Sequence, residues 1–131
     1  MFECIVLGDS IAVGTSRARP ECVSYARGGW NSWQWNKAFL TKDLSARTVI
    51  ISLGTNDHTG VNTKKELLKM RNNVQAERVY WIMPAIKPDV QEIVEEIANR
   101  NGDWIIKIPY LSKDGIHPSD RGYKKIGEIT K

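Results

Sequence analysis

The sequence predicts an α/β fold, a three-layer α/β/α sandwich in which helices cover both faces of a parallel five-stranded sheet. Two observations predict it. Strand-like apolar runs recur along the chain with helix-like segments between them, as in parallel sheets with crossover helices. The run at 49–53 is almost continuously apolar, as expected for a central strand buried on both faces. A length of 131 residues, 41% of them hydrophobic, suits a single domain spanning residues 1–131.

Five strands are expected, one at each apolar run. They lie near residues 2–7, 22–26, 48–53, 78–83 and 104–108. About a dozen residues separate Ser10 from the second strand, too few for a crossover helix of ordinary length. The first crossover is therefore predicted to be a short helical turn at residues 11–14.

The next two helices are predicted from their caps. Asn31 caps a segment in which Trp35 and Phe39 share one face through their i, i+4 spacing. Residues 63–66 (Thr-Lys-Lys-Glu) match a capping box and precede an apolar stripe.

Caps also predict the last two helices. Asp89 opens an amphipathic helix that Gly102 ends, and Ser119 caps a final one. The residues predicted to face the core are Val90, Ile93, Val94 and Ile97 in the first of these helices and Tyr123, Ile126 and Ile129 in the second.

Charge and hydropathy exclude several classes of function. The net charge is +4, and its Lys and Arg residues are scattered, so we expect a solvated surface and no nucleic-acid partner. No apolar stretch approaches the roughly 20 residues of a membrane helix, so no membrane partner is expected. The first strand begins without a basic region or a small-residue cleavage site before it, which favours a cytoplasmic location.

The two cysteines, Cys4 and Cys22, fall on predicted strands without the spacing of a zinc or redox motif. We predict that both are reduced core residues, with a disulfide as the alternative. With His58 and His117 as the only histidines and no clustered ligands, neither a metal nor a cofactor is expected. The tryptophan content leaves both a monomer and a homodimer open.

Polar clusters follow the predicted strand ends at 8–10 (Gly-Asp-Ser), 54–57 (Gly-Thr-Asn-Asp) and 114–117 (Asp-Gly-Ile-His). Gly29 follows the second strand in the same way. Ligands bind beyond the carboxyl ends of parallel strands, so we expect these segments to converge on one edge of the sheet.

Together the clusters contain the residue types of a serine hydrolase, which needs a hydroxyl nucleophile, a base, a carboxylate and amide donors. Ser10 is the candidate nucleophile and His117 the candidate base. Asp114, three residues before His117, can orient the imidazole within a turn. The alternative for this last cluster is a plain loop with an exposed histidine. The Gly-x-Ser-x-Gly elbow of α/β hydrolases is absent.

Three donors are candidates for an oxyanion hole. They are the Ser10 backbone amide, the Gly29 backbone amide and the Asn56 side chain, a neutral donor that does not titrate. Asparagine and glycine after strands also commonly close turns, which is the structural alternative.

The remaining polar and aromatic residues near these clusters are assigned supporting positions. Asp9 is predicted to tie down its turn, Asp57 to stabilise its loop, and His58 to lie at the surface or the rim. Trp30 is a candidate for a wall of the substrate pocket, whereas Trp35 is expected in the core.

On these motifs the sequence resembles the SGNH hydrolase family, the GDSL-like esterases, over nearly the whole chain. Residues 8–14 (Gly-Asp-Ser-Ile-Ala-Val-Gly) are similar to the family's first block, which makes Ser10 the nucleophile. Its second-block glycine is matched by Gly29 within 26–32, with the adjacent Gly28 as the alternative.

The third-block asparagine of the family is matched by Asn56, and its final block by Asp114 and His117. The resemblance implies a flavodoxin-like sandwich and acyl-ester hydrolysis without a cofactor. This chain is shorter than most relatives, and the trimmed segment after Ser10 removes structure that often shapes the acyl pocket.

The expected function is therefore a small serine esterase with an open cleft that prefers short acyl chains, acetyl first. Tryptophans beside such a cleft suit stacking on a sugar ring, so the expected substrate is a carbohydrate O-acetyl ester or another small ester. A thioesterase or lysophospholipase of the same family is the alternative enzyme. A non-enzymatic carbohydrate-binding or assembly module on this fold is the alternative from another class.

Overall fold

The five predicted strands form one sheet in the computed structural model, which describes residues 1–131. The strands are β1 (Phe2–Gly8), β2 (Val23–Ala26), β3 (Ser45–Ser52), β4 (Gln75–Met83) and β5 (Trp104–Lys107). Their order is β2-β1-β3-β4-β5, and every neighbouring pair is parallel. Because β1 lies between β2 and β3, the segments that leave these three strands meet at the carboxyl edge of the sheet.

Helices cover both faces of this sheet, as predicted. They are α1 (Ser10–Ala18), α2 (Ser32–Phe39), α3 (Thr63–Asn73), α4 (Pro88–Asn101) and α5 (Asp120–Ile129). The first and last helices pack against each other and share one buried cluster with the sheet. The other three line up on the opposite face over a larger cluster that contains Trp35 and Trp81. The predicted three-layer α/β fold is confirmed.

The first crossover differs from the prediction of a short turn at 11–14. It is a nine-residue helix, α1, which begins at Ser10 directly after the strand. The connections on either side of α1 are short. Asp9 alone separates β1 from α1, and a tight turn leads from α1 into β2. In that turn the Arg19 carbonyl accepts from the Cys22 N–H at 3.0 Å. Residues 10–18 are thus helical, and residues 19–22 form the turn into β2.

Most predicted helix caps are confirmed. Asn31 and Gln34 form a reciprocal capping box at the start of α2. Gly102 ends α4 in the left-handed conformation, and the Ser119 side chain caps α5.

Three details of the helix predictions are wrong. The cap of α3 is Asn62, which accepts from the Lys65 N–H at 3.2 Å, whereas the Thr63 hydroxyl donates to Asp57, six residues earlier in the preceding loop. The fourth helix begins at Pro88, a residue suited to the first helical turn, and not at Asp89. Ile129 is 41% exposed, because the buried stripe runs from Gly122 through Ile126 to Thr130 and leaves Ile129 to one side.

The prediction that the cysteines are reduced is also wrong. Cys4 and Cys22 form a disulfide, with Cα atoms 4.8 Å apart. Cys4 precedes Ile5, which pairs with Val23 in the parallel register of β1 and β2, so the two cysteines face each other across neighbouring strands. Disulfides are rare in reducing compartments, so this bond does not favour the predicted cytoplasmic location.

Asp9 is a fully buried carboxyl at the junction of β1 and α1. Its Oδ1 accepts from the Ile11 N–H and the Ser52 hydroxyl, both at 3.1 Å, and so ties down the turn as predicted. Its Oδ2 has no hydrogen-bond partner. Burial therefore raises the pKa of Asp9 to about 6, although its hydrogen bonds act in the opposite direction.

None of the five helices combines the length and apolar composition needed to span a membrane.

Reduction of the disulfide is expected to lower the free energy of unfolding by about 3 kcal/mol, because the bond joins residues 18 positions apart and restricts the unfolded chain. Denaturant titrations of the oxidised and reduced protein measure this difference. The Cys4→Ala/Cys22→Ala double variant is the control, and reductant should leave its unfolding midpoint unchanged. Equal midpoints for the oxidised and reduced wild type would contradict the prediction.

The raised pKa of Asp9 makes stability depend on pH. The native carboxyl titrates near 6 and the unfolded one near 3.8, so the native state holds this proton more tightly. The contribution of protonated Asp9 to the free energy of unfolding is complete below about pH 4 and is lost as the pH rises through 6. The free energy of unfolding should fall by about 2–3 kcal/mol over this range. Asp9→Asn should remove this dependence. Free energies of unfolding measured between pH 4 and 7 test it, and identical pH profiles for both proteins would argue against it.

Candidate active site

The fold brings together the serine and histidine that sequence reasoning paired. Ser10 is the first residue of α1, at the carboxyl end of β1, and His117 lies in the segment between β5 and α5. The Ser10 Oγ lies 2.9 Å from the His117 Nε2, although 107 positions separate the two residues. This is hydrogen-bond distance for a hydroxyl and an imidazole nitrogen.

Asp114 lies on the other side of the same imidazole ring. Its Oδ2 is 2.7 Å from the His117 Nδ1. Its Oδ1 accepts from three donors, the backbone N–H groups of Ile116 and His117 and the hydroxyl of Ser112, at 2.7 to 2.9 Å. The serine, which sequence reasoning missed, lies two residues before the aspartate, a spacing typical of a local turn.

These hydrogen bonds set the electrostatics of the histidine. The His117 backbone N–H, followed by the Ser112 hydroxyl, holds the pKa of Asp114 below its ordinary value. An ionised carboxylate can only accept, so it keeps the proton of His117 on Nδ1. The Nε2 is then free to accept the proton of the Ser10 hydroxyl.

A tight turn explains why a spacing of three places carboxylate and imidazole side by side. The Ser112 N–H donates to the His117 carbonyl at 2.8 Å, and Leu111 pairs with Pro118 in an isolated antiparallel bridge. Gly115 takes a φ of 71° at the tip, which few other residues tolerate. The His117 and Asp114 side chains are 38% and 48% exposed, so this group is open to solvent.

The glycine pair after β2 divides into two positions. A Cβ placed on Gly28 would lie 3.8 Å from the Cβ of Ser10, whereas Gly29 has nothing within 4 Å. Gly29 has a φ of 78° and makes the turn. The glycine beside Ser10 is therefore Gly28, which the sequence analysis gave as the alternative. The assignment of the Gly29 amide to the oxyanion hole stays a prediction.

Asn56 lies in the segment after β3 and is half-buried. Its Nδ2 donates to the Trp30 carbonyl at 3.0 Å, which uses one of the two amide hydrogens. The bond joins the segment after β3 to the segment after β2. One side-chain N–H of Asn56 remains for another acceptor.

The tryptophans near the site differ in exposure. Trp30 is half-buried, and its ring contacts the Phe39 ring and the Arg27 guanidinium. Trp35 is fully buried, as predicted. Trp33, on the first turn of α2, is 49% exposed, and the Lys37 ammonium lies 4.6 Å from the centre of its ring. His58 is exposed, as expected.

No group of three or more His, Cys, Asp or Glu side chains is arranged to hold a metal ion.

Comparison with known proteins gives structural neighbours only. No protein-family model and no curated protein sequence matches this chain. A candidate acylhydrolase of Bacteroides fragilis superposes with a TM-score of 0.68 at 19% identity, covering 97% of this chain and 83% of that one. The C-terminal catalytic domain of Streptococcus pneumoniae peptidoglycan O-acetyltransferase A, which carries a methylsulfonyl adduct, superposes with a TM-score of 0.63 at 18% identity, covering 97% and 89%.

At these identities the likeness concerns the fold and not the substrate. Both neighbours are named for reactions of acyl groups. This chain therefore has an α/β fold that it shares with proteins named as an acylhydrolase and an O-acetyltransferase.

Proposed function

We propose that this protein is a serine esterase of the SGNH type that hydrolyses short-chain acyl esters, acetyl esters first. One observation carries the proposal, the continuous chain of contacts from the Ser10 hydroxyl through His117 to Asp114, at 2.9 and 2.7 Å. That arrangement of hydroxyl, imidazole and carboxylate is the geometry of nucleophilic acyl transfer. The fold shared with two proteins named for acyl chemistry supports it.

In the first half of the reaction, the Ser10 Oγ attacks the ester carbonyl carbon while the His117 Nε2 takes the hydroxyl proton. The Asp114 carboxylate stabilises the imidazolium that forms. The tetrahedral intermediate then breaks its bond to the alcohol oxygen, which leaves with the proton from His117. An acyl-serine remains on the enzyme.

In the second half, water attacks the acyl-serine and gives its proton to the same imidazole. Collapse of the second tetrahedral intermediate releases the carboxylic acid, and Ser10 recovers its proton. The enzyme returns to its starting state, and the net reaction consumes one ester and one water.

Three donors stabilise the oxyanion in both halves. The Ser10 N–H is at the start of α1, where backbone N–H groups have no partner within the helix and the dipole favours negative charge. The free N–H of Asn56 and an amide of the Gly28–Gly29 pair supply the others. Removal of one such donor typically lowers turnover about 10²- to 10³-fold.

A carbohydrate ester is the proposed substrate class. Trp33 follows the Gly28–Gly29 pair in the sequence and is 49% exposed; the Lys37 ammonium lies 4.6 Å from the centre of its ring, which leaves the opposite ring face for stacking on a sugar. Solvent exposure of His117 and Asp114 leaves room for a bulky alcohol portion.

The second candidate function is transfer of the acetyl group to a sugar hydroxyl instead of water. The likeness to the catalytic domain of a peptidoglycan O-acetyltransferase favours it. Both functions share the acyl-serine and differ only in the acceptor of the second half.

Ser10→Ala is expected to lower kcat/KM for p-nitrophenyl acetate by about 10⁴-fold or more, because no other group replaces the nucleophile. A sulfonyl fluoride should label the wild type once, at Ser10, as read by peptide mass. The matched control is Ser16→Ala in the same helix, whose hydroxyl bonds the Val13 carbonyl at 2.7 Å and which should keep full activity. Undiminished turnover by folded Ser10→Ala would overturn the proposed function.

A series of p-nitrophenyl esters of increasing acyl length should give its highest kcat/KM at acetyl or propionyl, because the open site provides little apolar surface for a long chain. Acetylated sugars should release acetate in the same assay. If transfer is the function, added sugar acceptors should become acetylated at the expense of acetate release. A maximum at octanoyl or longer would instead favour the thioesterase or lysophospholipase alternative.

A further inference from the structure

Asp57, the residue after Asn56, is a buried carboxylate that is 2% exposed. Its Oδ1 accepts from the Ser32 N–H at 2.8 Å, and its Oδ2 accepts from the Ser32 hydroxyl at 2.6 Å and the Thr63 hydroxyl at 2.7 Å. Burial of a charge is unfavourable unless hydrogen bonds compensate it, and these three do so. The side chain therefore fixes the segment after β3 to the first residues of α2 and α3.

The backbone at Asp57 is held from another direction. Its carbonyl accepts from the Lys87 ammonium at 2.6 Å, and its N–H donates to the Gly54 carbonyl at 3.0 Å. Lys87 has a φ of 66°, a left-handed conformation that side chains other than glycine rarely adopt. Backbone strain of this kind persists where the surrounding contacts enforce it.

These bonds bear on Asn56, whose side chain has a single protein contact as a donor, the Trp30 carbonyl. Trp30 lies two residues before Ser32, the main partner of Asp57. The same pair of segments is therefore joined twice, once by Asn56 and once by Asp57. Without the second junction, the direction of the Asn56 amide would depend on one hydrogen bond to a loop.

We propose that Asp57 is a positioning residue that sets the side-chain amide of Asn56 for oxyanion stabilisation. The inference rests on the proposed function. An acceptor-only group suits this place, because the Ser32 N–H can only donate and both hydroxyls donate to the carboxylate. An asparagine would turn its NH₂ group toward the Ser32 and Thr63 hydroxyls, which would then have to reorient and accept. A positioning role predicts that the effect of Asp57 on catalysis passes through Asn56.

A double-mutant cycle measures that coupling with p-nitrophenyl acetate as substrate. Asp57→Asn alone should lower kcat about 10- to 100-fold with KM changed less than about twofold, since the lost interaction acts in the transition state. In the Asn56→Ala background, the same substitution should lower kcat by less than about threefold. Equal losses in the two backgrounds, or an unchanged kcat for Asp57→Asn, would overturn the proposal.

Asp103→Asn is the matched control for a loss of stability alone. The Asp103 side chain is 3% exposed and accepts two bonds from Arg71 and one from the Trp81 indole. It lies just before β5, at the opposite edge of the sheet from Ser10. Its substitution should lower the unfolding midpoint and leave kcat within about twofold of the wild type. A loss of kcat equal to that of Asp57→Asn would show that destabilisation explains both.

If Asp57→Asn does not fold, Ser32→Ala serves as the second variant. It removes the hydroxyl bond to Asp57 and keeps the bond from the backbone N–H. Its loss of kcat should be smaller and should also disappear in the Asn56→Ala background, and additive losses would count against the proposal. Ser10→Ala separates this inference from the proposed function. Turnover retained by Ser10→Ala refutes the esterase itself, whereas turnover abolished by Ser10→Ala with an additive cycle refutes only the positioning role.

Discussion

The packing of α5 against α1 is the constraint on which the candidate site depends. Two strands, β3 and β4, separate β5 from β1, so the chain must cross the sheet edge before His117 can meet Ser10. The two helices share one buried cluster, and their far ends are joined by a 2.7 Å bond from the Arg19 guanidinium to the Thr130 hydroxyl. His117 lies three residues before α5, and Ser10 is the first residue of α1. The alignment of the two helices therefore sets the distance between the serine and the histidine.

Two carboxyl groups near Ser10 have pKa values shifted in opposite directions because their environments differ. Asp9, adjacent to Ser10 in the chain, is fully buried with one oxygen unpaired, and its pKa is raised. Asp114 is exposed and accepts several hydrogen bonds, and its pKa is lowered. The carboxylate that remains ionised over the wider pH range is thus the one that contacts His117, while Asp9 organises the turn that presents the nucleophile.

Features that depend on local pattern were predictable from the sequence, and features that depend on contacts between distant segments were not. Apolar runs located every strand, and parallel strands share a carboxyl edge, which is why Ser10 and His117 could be expected to meet. The Cys4–Cys22 bond required knowing that β2 lies beside β1. The α3 cap was misassigned because the Thr63 hydroxyl bonds a residue outside its helix. The glycine beside Ser10 depends on turn dihedrals that composition does not fix.

Tyr123 on α5 lies over Gly14 on α1, one helical turn from the nucleophile. A Cβ at position 14 would come within 2.3 Å of the phenol ring, so a methyl group there would require the Tyr123 ring to move or the two helices to separate. Residue 14 is therefore a spacer whose lack of a side chain controls catalytic geometry from outside the reacting group.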